Sequence, residues 1–327
     1  MSRHPGLLHR AVAALALLRT VLGRRWWISA AVLCAVLLTA LAWWLTRLNS
    51  AVLESAPPPV HQSALPLWDL GQWLAGRSPD WRVGRLKEEP AVVVIEFPNL
   101  AEQGAAMNRL AALLEKTQAP RHRVLSNPEL ASLIAQGGDS PQTFLQGHDY
   151  RGSGLALFFG LAQAQRLNLD AAERRLLKIL IGAGVMAPAR GVEQGYVSLG
   201  LQALITFSAT QADDPSTPAH ETTDETQRAS ILRHEVSHGR FYTRLGYQAH
   251  CRQFWLTALT EPQRERIRLY LAGAGYNRHD EELMLNEAQA FMMHTADQRA
   301  FMAQDIGMTP AQLDAMRAQF WRTLPPE

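Results

Sequence analysis

The chain has 327 residues, of which 47% are hydrophobic and 19% charged, and its net charge is +2. That balance excludes extended intrinsic disorder and leaves room for one anchored domain of about 250 residues or two smaller ones. No basic block interleaved with aromatics lies outside the N-terminus, which excludes a nucleic-acid surface.

Residues 1–26 form a basic segment carrying Arg3, Arg10, Arg19, Arg24 and Arg25. Residues 27–46 contain no Lys, Arg, Asp or Glu, and Trp26, Trp27, Trp43 and Trp44 stand at the two ends. At about 1.5 Å per residue such a run crosses a hydrocarbon core of about 30 Å, and indole rings favour the headgroup level. Arg47 is followed by no Lys or Arg until Arg77, so the positive-inside rule puts the N-terminus in the cytoplasm and the rest outside. Basic residues are almost all Arg, with only Lys87, Lys116 and Lys178 as lysines, a bias of GC-rich bacterial coding. The expectation is a single-pass protein of a bacterial inner membrane with a periplasmic domain. A cleaved signal peptide is the alternative, because Ala40-Leu41-Ala42 has the small-x-small form of a processing site. Leu7 to Leu22 reads as an interfacial amphipathic helix.

Residues 47–88 read as an extended linker and lead-in: a proline-rich tether, Glu54 to Pro66, then a segment in which Trp68, Leu70, Trp73 and Trp81 pack. Residues 89–190 form the N-terminal part of the folded domain. Ala91 to Phe97 is a buried strand, and helices are expected at Leu100 to Glu115, Leu155 to Arg166 and Asp170 to Ile181, the last capped by Asp170. His148 and Asp149 precede a glycine-containing turn, where a loop-capping role outweighs a place in a site. Cys34 and Cys251 lie too far apart in kind and position to pair, and Cys251 reads as a small buried hydrophobe.

Residues 191–327 carry the chemistry. Tyr196 to Ser208 is expected as one strand leading into a polar loop. Then comes Arg233 to Gly239, RHEVSHG, on a helix that a Thr222–Glu225 capping box would start and that continues through Gly239 to Gly246. Positions i and i+4 share a helix face, so the imidazoles of His234 and His238 can converge on one metal with Glu235 beside them. A second helix, Glu281 to about Thr295 with Asp280 as N-cap, places Glu287 on an apolar stripe with Leu283, Met284, Ala290 and His294. A carboxylate pointing inward there needs compensation, either from a metal or from an arginine. Rival third ligands are His250, His279 and His294.

His234-Glu235-x-x-His238 followed by Asn286-Glu287-Ala288 resembles the gluzincin group of zinc metallopeptidases over about 65 residues, Thr223 to Glu287. Metzincins are excluded, because Phe241 and Arg244 occupy the positions where that group needs Gly and His. The resemblance implies an α+β, mainly helical zincin-like catalytic domain and Zn²⁺ held by His234, His238 and Glu287. It implies Glu235 as general base and a peptide or protein as substrate. For the oxyanion, Tyr242 is first choice among Tyr242, His250, Tyr276, His279 and His294, and Tyr196 to Ser208 would be the edge that holds an extended substrate. Where some gluzincins carry an Asp that orients a zinc-bound His, this chain has Phe291. A non-catalytic zinc-stabilised domain and a plain binding module are the alternatives.

Overall fold

A computed structural model describes residues 65–326 apart from 190, 192–194, 214 and 216–220. The basic segment, the expected membrane-crossing run 27–46 and nearly all of the tether lie outside the described residues. Among the described residues no helix is long and apolar enough to cross a membrane.

The fold is α+β. In chain order it runs β1 (Leu67–Trp68), α1 (Leu70–Ala75), β2 (Arg82–Leu86), β3 (Glu89–Phe97), α2 (Leu100–Leu114), α3 (Asn127–Gly137), β4 (Gly147–Arg151), α4 (Gly152–Ala164), α5 (Ala171–Gly182), β5 (Met186–Pro188), β6 (Tyr196–Ser198) and β7 (Ala203–Ser208). Four further helices follow, α6 (Glu225–Thr243), α7 (Leu245–Thr257), α8 (Glu261–Gly273) and α9 (Glu281–Gln289). The chain closes with a π-helical turn (Ala290–His294), a short 3₁₀ turn and α10 (Pro310–Thr323).

Five strands form the main sheet in the order β1-β2-β3-β7-β4. β2 and β3 are antiparallel, β3 and β7 parallel, and β4 is antiparallel to β7, with no further strand outside it among the described residues. The run Val92 to Phe97 is buried on both faces, which is why it reads as an apolar run broken only by Glu96 rather than an alternation. Val93, Ile95 and Phe97 pack with Met107, Leu110, Phe158 and Leu176 from α2, α4 and α5. Val92, Val94, Ile205 and Phe207 face the other way, against Leu232 and Val236 of α6. The helices α7 to α10 enclose a second core around Phe241, Trp255, Leu271, Met284 and Phe320. Cys251 is buried in it, and burial pushes its thiol up to about 12, so it packs as an inert hydrophobe.

Part of the lead-in belongs to the sheet itself. Asp69 caps α1 reciprocally with Gln72, Trp73 is fully buried, and the Arg82 guanidinium lies 4.5 Å from the rings of both Trp68 and Trp73. The expected strand Tyr196 to Ser208 is two strands in two sheets. Gly200 takes a left-handed φ of 73°, which glycine tolerates without a Cβ clash, and the chain turns there from β6, paired with β5, into β7. β7 therefore lies inside the sheet, and β4 is its edge.

Candidate metal centre

α6 starts at Asp224, whose side chain accepts from the Gln227 N–H; the Thr222 hydroxyl donates to the Gln211 carbonyl instead of capping. Thr222 sits two residues before the N-cap, too early to reach the orphan N–H groups. The helix passes through Gly239 and ends at Thr243 rather than Gly246, because Arg244 is extended and restarts the chain as α7. At Gly239 α6 lies close against the sheet: a Cβ there would stand 3.0 Å from both methyls of Val92.

This close seating puts His234 and His238 over the strands with their Nε2 atoms 3.0 Å apart. α9 brings the Glu287 carboxylate to the same point, its Oε2 3.7 Å from His234 Nε2 and 3.7 Å from His238 Nε2. Zinc bonds of about 2.0 to 2.1 Å in a tetrahedron separate donor atoms by about 3.3 Å, so this triangle has the size that one such ion requires. Glu287 and His238 are buried, and Glu287 Oε2 and His238 Nδ1 have no hydrogen-bond partner among the described residues. Burial holds both imidazoles down to about 4, so they are neutral with lone pairs free at neutral pH. Burial raises the Glu287 carboxyl, against which His238 and a hydrogen bond from Tyr276 work. Among the described residues no arginine pairs with it, and a cation at the triangle would neutralise it.

Glu235 is buried beside the triangle, with Oε2 unpartnered, and packs its other oxygen against Gly147 of β4, where any side chain would collide with it. Its carboxyl is raised well above the ordinary range, first by burial and then by Asp149 and Glu287. A cavity of about 490 Å³ opens on this side, with His234, Glu235, Gly147, Ile231, Tyr276 and Phe291 in its wall.

Asp149 corrects the sequence expectation. It lies in β4, not a loop, and alternation sends it toward α6 while His148 and Tyr150 face the core. Its Oδ2 is 3.7 Å from His238 Nε2, and its Oδ1 accepts from the Tyr242 hydroxyl at 2.6 Å. Asn286 Nδ2 donates to the same hydroxyl at 3.1 Å. Tyr242 is thus committed to Asp149 and Asn286, while Tyr276 lines the cavity beside His234 and Glu235. Burial, with the acids of the site adding to it, raises the Tyr276 hydroxyl well above its ordinary range, so it stays a donor.

The rival histidines lie elsewhere. His250 bonds the Phe320 carbonyl, His294 bonds Tyr247 against Trp321, and His279 is exposed in the turn before α9. Sequence reasoning missed Asp149 and Thr295, whose Oγ1 lies 2.8 Å from His234 Nδ1. For Asp149 the sequence carried no local signal, since the period-two burial of Gly147 to Arg151 arises only when β4 joins the sheet. For Thr295 there was none either, because the helix expected from Glu281 to Thr295 is α-helical only to Gln289 and then widens into the π turn.

No protein-family model, curated protein or solved structure matches this chain.

Proposed function

We propose that this chain is a zinc-dependent peptidase of gluzincin type, held at a bacterial membrane by its N-terminal apolar run with the catalytic domain on the far side. The observation that carries the reading is the convergence of His234 Nε2, His238 Nε2 and Glu287 Oε2 with Glu235 alongside. When bound, the ion supplies Lewis acidity, which brings the pKa of a water toward 7 and polarises a carbonyl.

The chain's own residues do the rest. Glu235 Oε2 faces the site without a competing donor, takes a proton from the attacking water and returns it to the leaving amine. The Tyr276 hydroxyl, whose proton otherwise goes to Glu287, turns it to the oxygen that gains charge as the carbonyl carbon becomes tetrahedral. Tyr242 and Asn286 keep Asp149 aimed at the site. β4 is the open edge of the sheet and borders the triangle, so its outward backbone groups hold an extended peptide by strand addition. That role passes to β4 from the segment Tyr196 to Ser208.

The test is the purified full chain carrying Glu235→Gln. It should retain the zinc content of the unaltered protein while hydrolysis of an unstructured protein substrate falls by about 10²- to 10⁴-fold. Unchanged hydrolysis would remove Glu235 from the chemistry, and zinc without turnover in the unaltered chain would favour a non-catalytic zinc-stabilised domain.

A further inference from the structure

The two nitrogens of His234 have different neighbours. Nε2 faces His238 and Glu287, while Nδ1 lies 2.8 Å from Thr295 Oγ1. That hydroxyl has a single proton, and the Ala290 carbonyl, 3.1 Å away, can only accept. With the proton directed to Ala290, Thr295 accepts from Nδ1–H and leaves the Nε2 lone pair pointing into the triangle.

The π turn makes this contact. Thr295 is eight residues beyond Glu287, and in an uninterrupted α-helix it would stand about 80° around the axis from it. The i→i+5 turn over Ala290–His294 takes up an extra residue, closed by the Thr295 N–H to the Ala290 carbonyl at 3.0 Å. Glu287 and Thr295 then meet opposite edges of one imidazole. Phe291, within the same turn, sets its ring edge-on to His234 at 4.7 Å between centroids and closes off a third side.

We propose that Thr295 is a positioning residue: through the π turn it fixes the ring and the tautomer of His234, doing with a neutral hydroxyl what a carboxylate behind a ligand histidine would do. The consequence for metal affinity rests on the zinc reading above; the coupling of Thr295 to His234 does not. The experiment compares full-length protein with Thr295→Val, which keeps the shape and removes the hydroxyl, and Thr295→Ser, which keeps the hydroxyl. Histidine ¹⁵N spectra of metal-free protein report the tautomer, and chelator competition reports zinc affinity.

The unaltered chain and Thr295→Ser should show His234 protonated at Nδ1. Thr295→Val should lose that preference and bind zinc about 10- to 100-fold more weakly, with an unchanged circular dichroism spectrum. A Thr295→Val protein with the same tautomer and affinity as the unaltered chain overturns the proposal. If the unaltered chain binds no zinc but its His234 tautomer still depends on Thr295, the coupling stands and the metal reading falls.

Discussion

α6 carries two buried polar clusters two turns apart, and they are resolved in opposite ways. Near its start Arg228, fully buried, gives its Nε to Glu96 at 2.9 Å and its other nitrogens to the carbonyls of Trp73 and Leu74; Arg82 takes the second Glu96 oxygen at 3.1 Å. Every charge there has a partner of opposite sign. Further along, Glu235, Glu287 and Asp149 converge around two histidines that burial keeps neutral, and Glu287 and Glu235 each leave an oxygen unpartnered. Among the described residues two arginines pair with Glu96 and none with Glu287. The first cluster is complete in itself; the second has donors that a cation could take, as proposed above.

The sharpest break of this comparison is Glu287→Ala. It should lower zinc occupancy of folded protein to background and abolish hydrolysis, while His279→Ala and His294→Ala leave the metal bound. Full zinc content in Glu287→Ala, measured by elemental analysis, would end the assignment of the third ligand and make Glu287 another structural acid.

Arg228→Ala probes the other cluster. Leaving Glu96 without its main partner in the interior should cost about 3 to 5 kcal/mol of stability, read by denaturant unfolding. Zinc per folded molecule should not change. A variant that lost zinc in proportion to stability would show the two clusters to be one unit.

The smallest effect concerns His148, which shares its Nδ1 with Gln103 and Thr206 and is held down to about 3 by burial. The unfolded chain takes a proton there near pH 6.5 and the folded chain refuses it until about 3. The contribution is thus fully present above about 6.5 and drains as pH falls, by about 1.4 kcal/mol per pH unit. His148→Gln should flatten the acid side of a melting-temperature profile. An unaltered slope would mean that the folded protein accommodates the charge.

Much of this was legible in the sequence, and the boundary between what was and was not is physical. β3, α2 and α5, and the caps Asp170 and Asp280, follow from local rules, because apolar runs and side chains that bond nearby N–H groups act over a few residues. The pair His234 and His238 was legible for the same reason, since one helical turn fixes their distance. Glu287 came from its stripe and from the resemblance. Asp149 was not legible: which strand becomes an edge depends on sheet order, and β4 joins β7 only after 51 intervening residues, 152–202. The π turn escaped because an apolar periodicity that holds for three turns says nothing about one extra residue in the fourth.

Gly239 has a consequence for how this protein could vary. The separation between the helix that bears the histidines and β3, in the middle of the sheet, is set at that position by two hydrogens against the Val92 methyls. A methyl group added there would meet those methyls at a distance tighter than nearly all natural contacts, and the helix or Val92 would have to yield by tenths of an ångström. Catalytic alignment is less forgiving of such a shift than folding is. Inheritance at this position is therefore governed by a length, and a lineage that exchanged the glycine would have to trim Val92 in the same step to keep its chemistry in register.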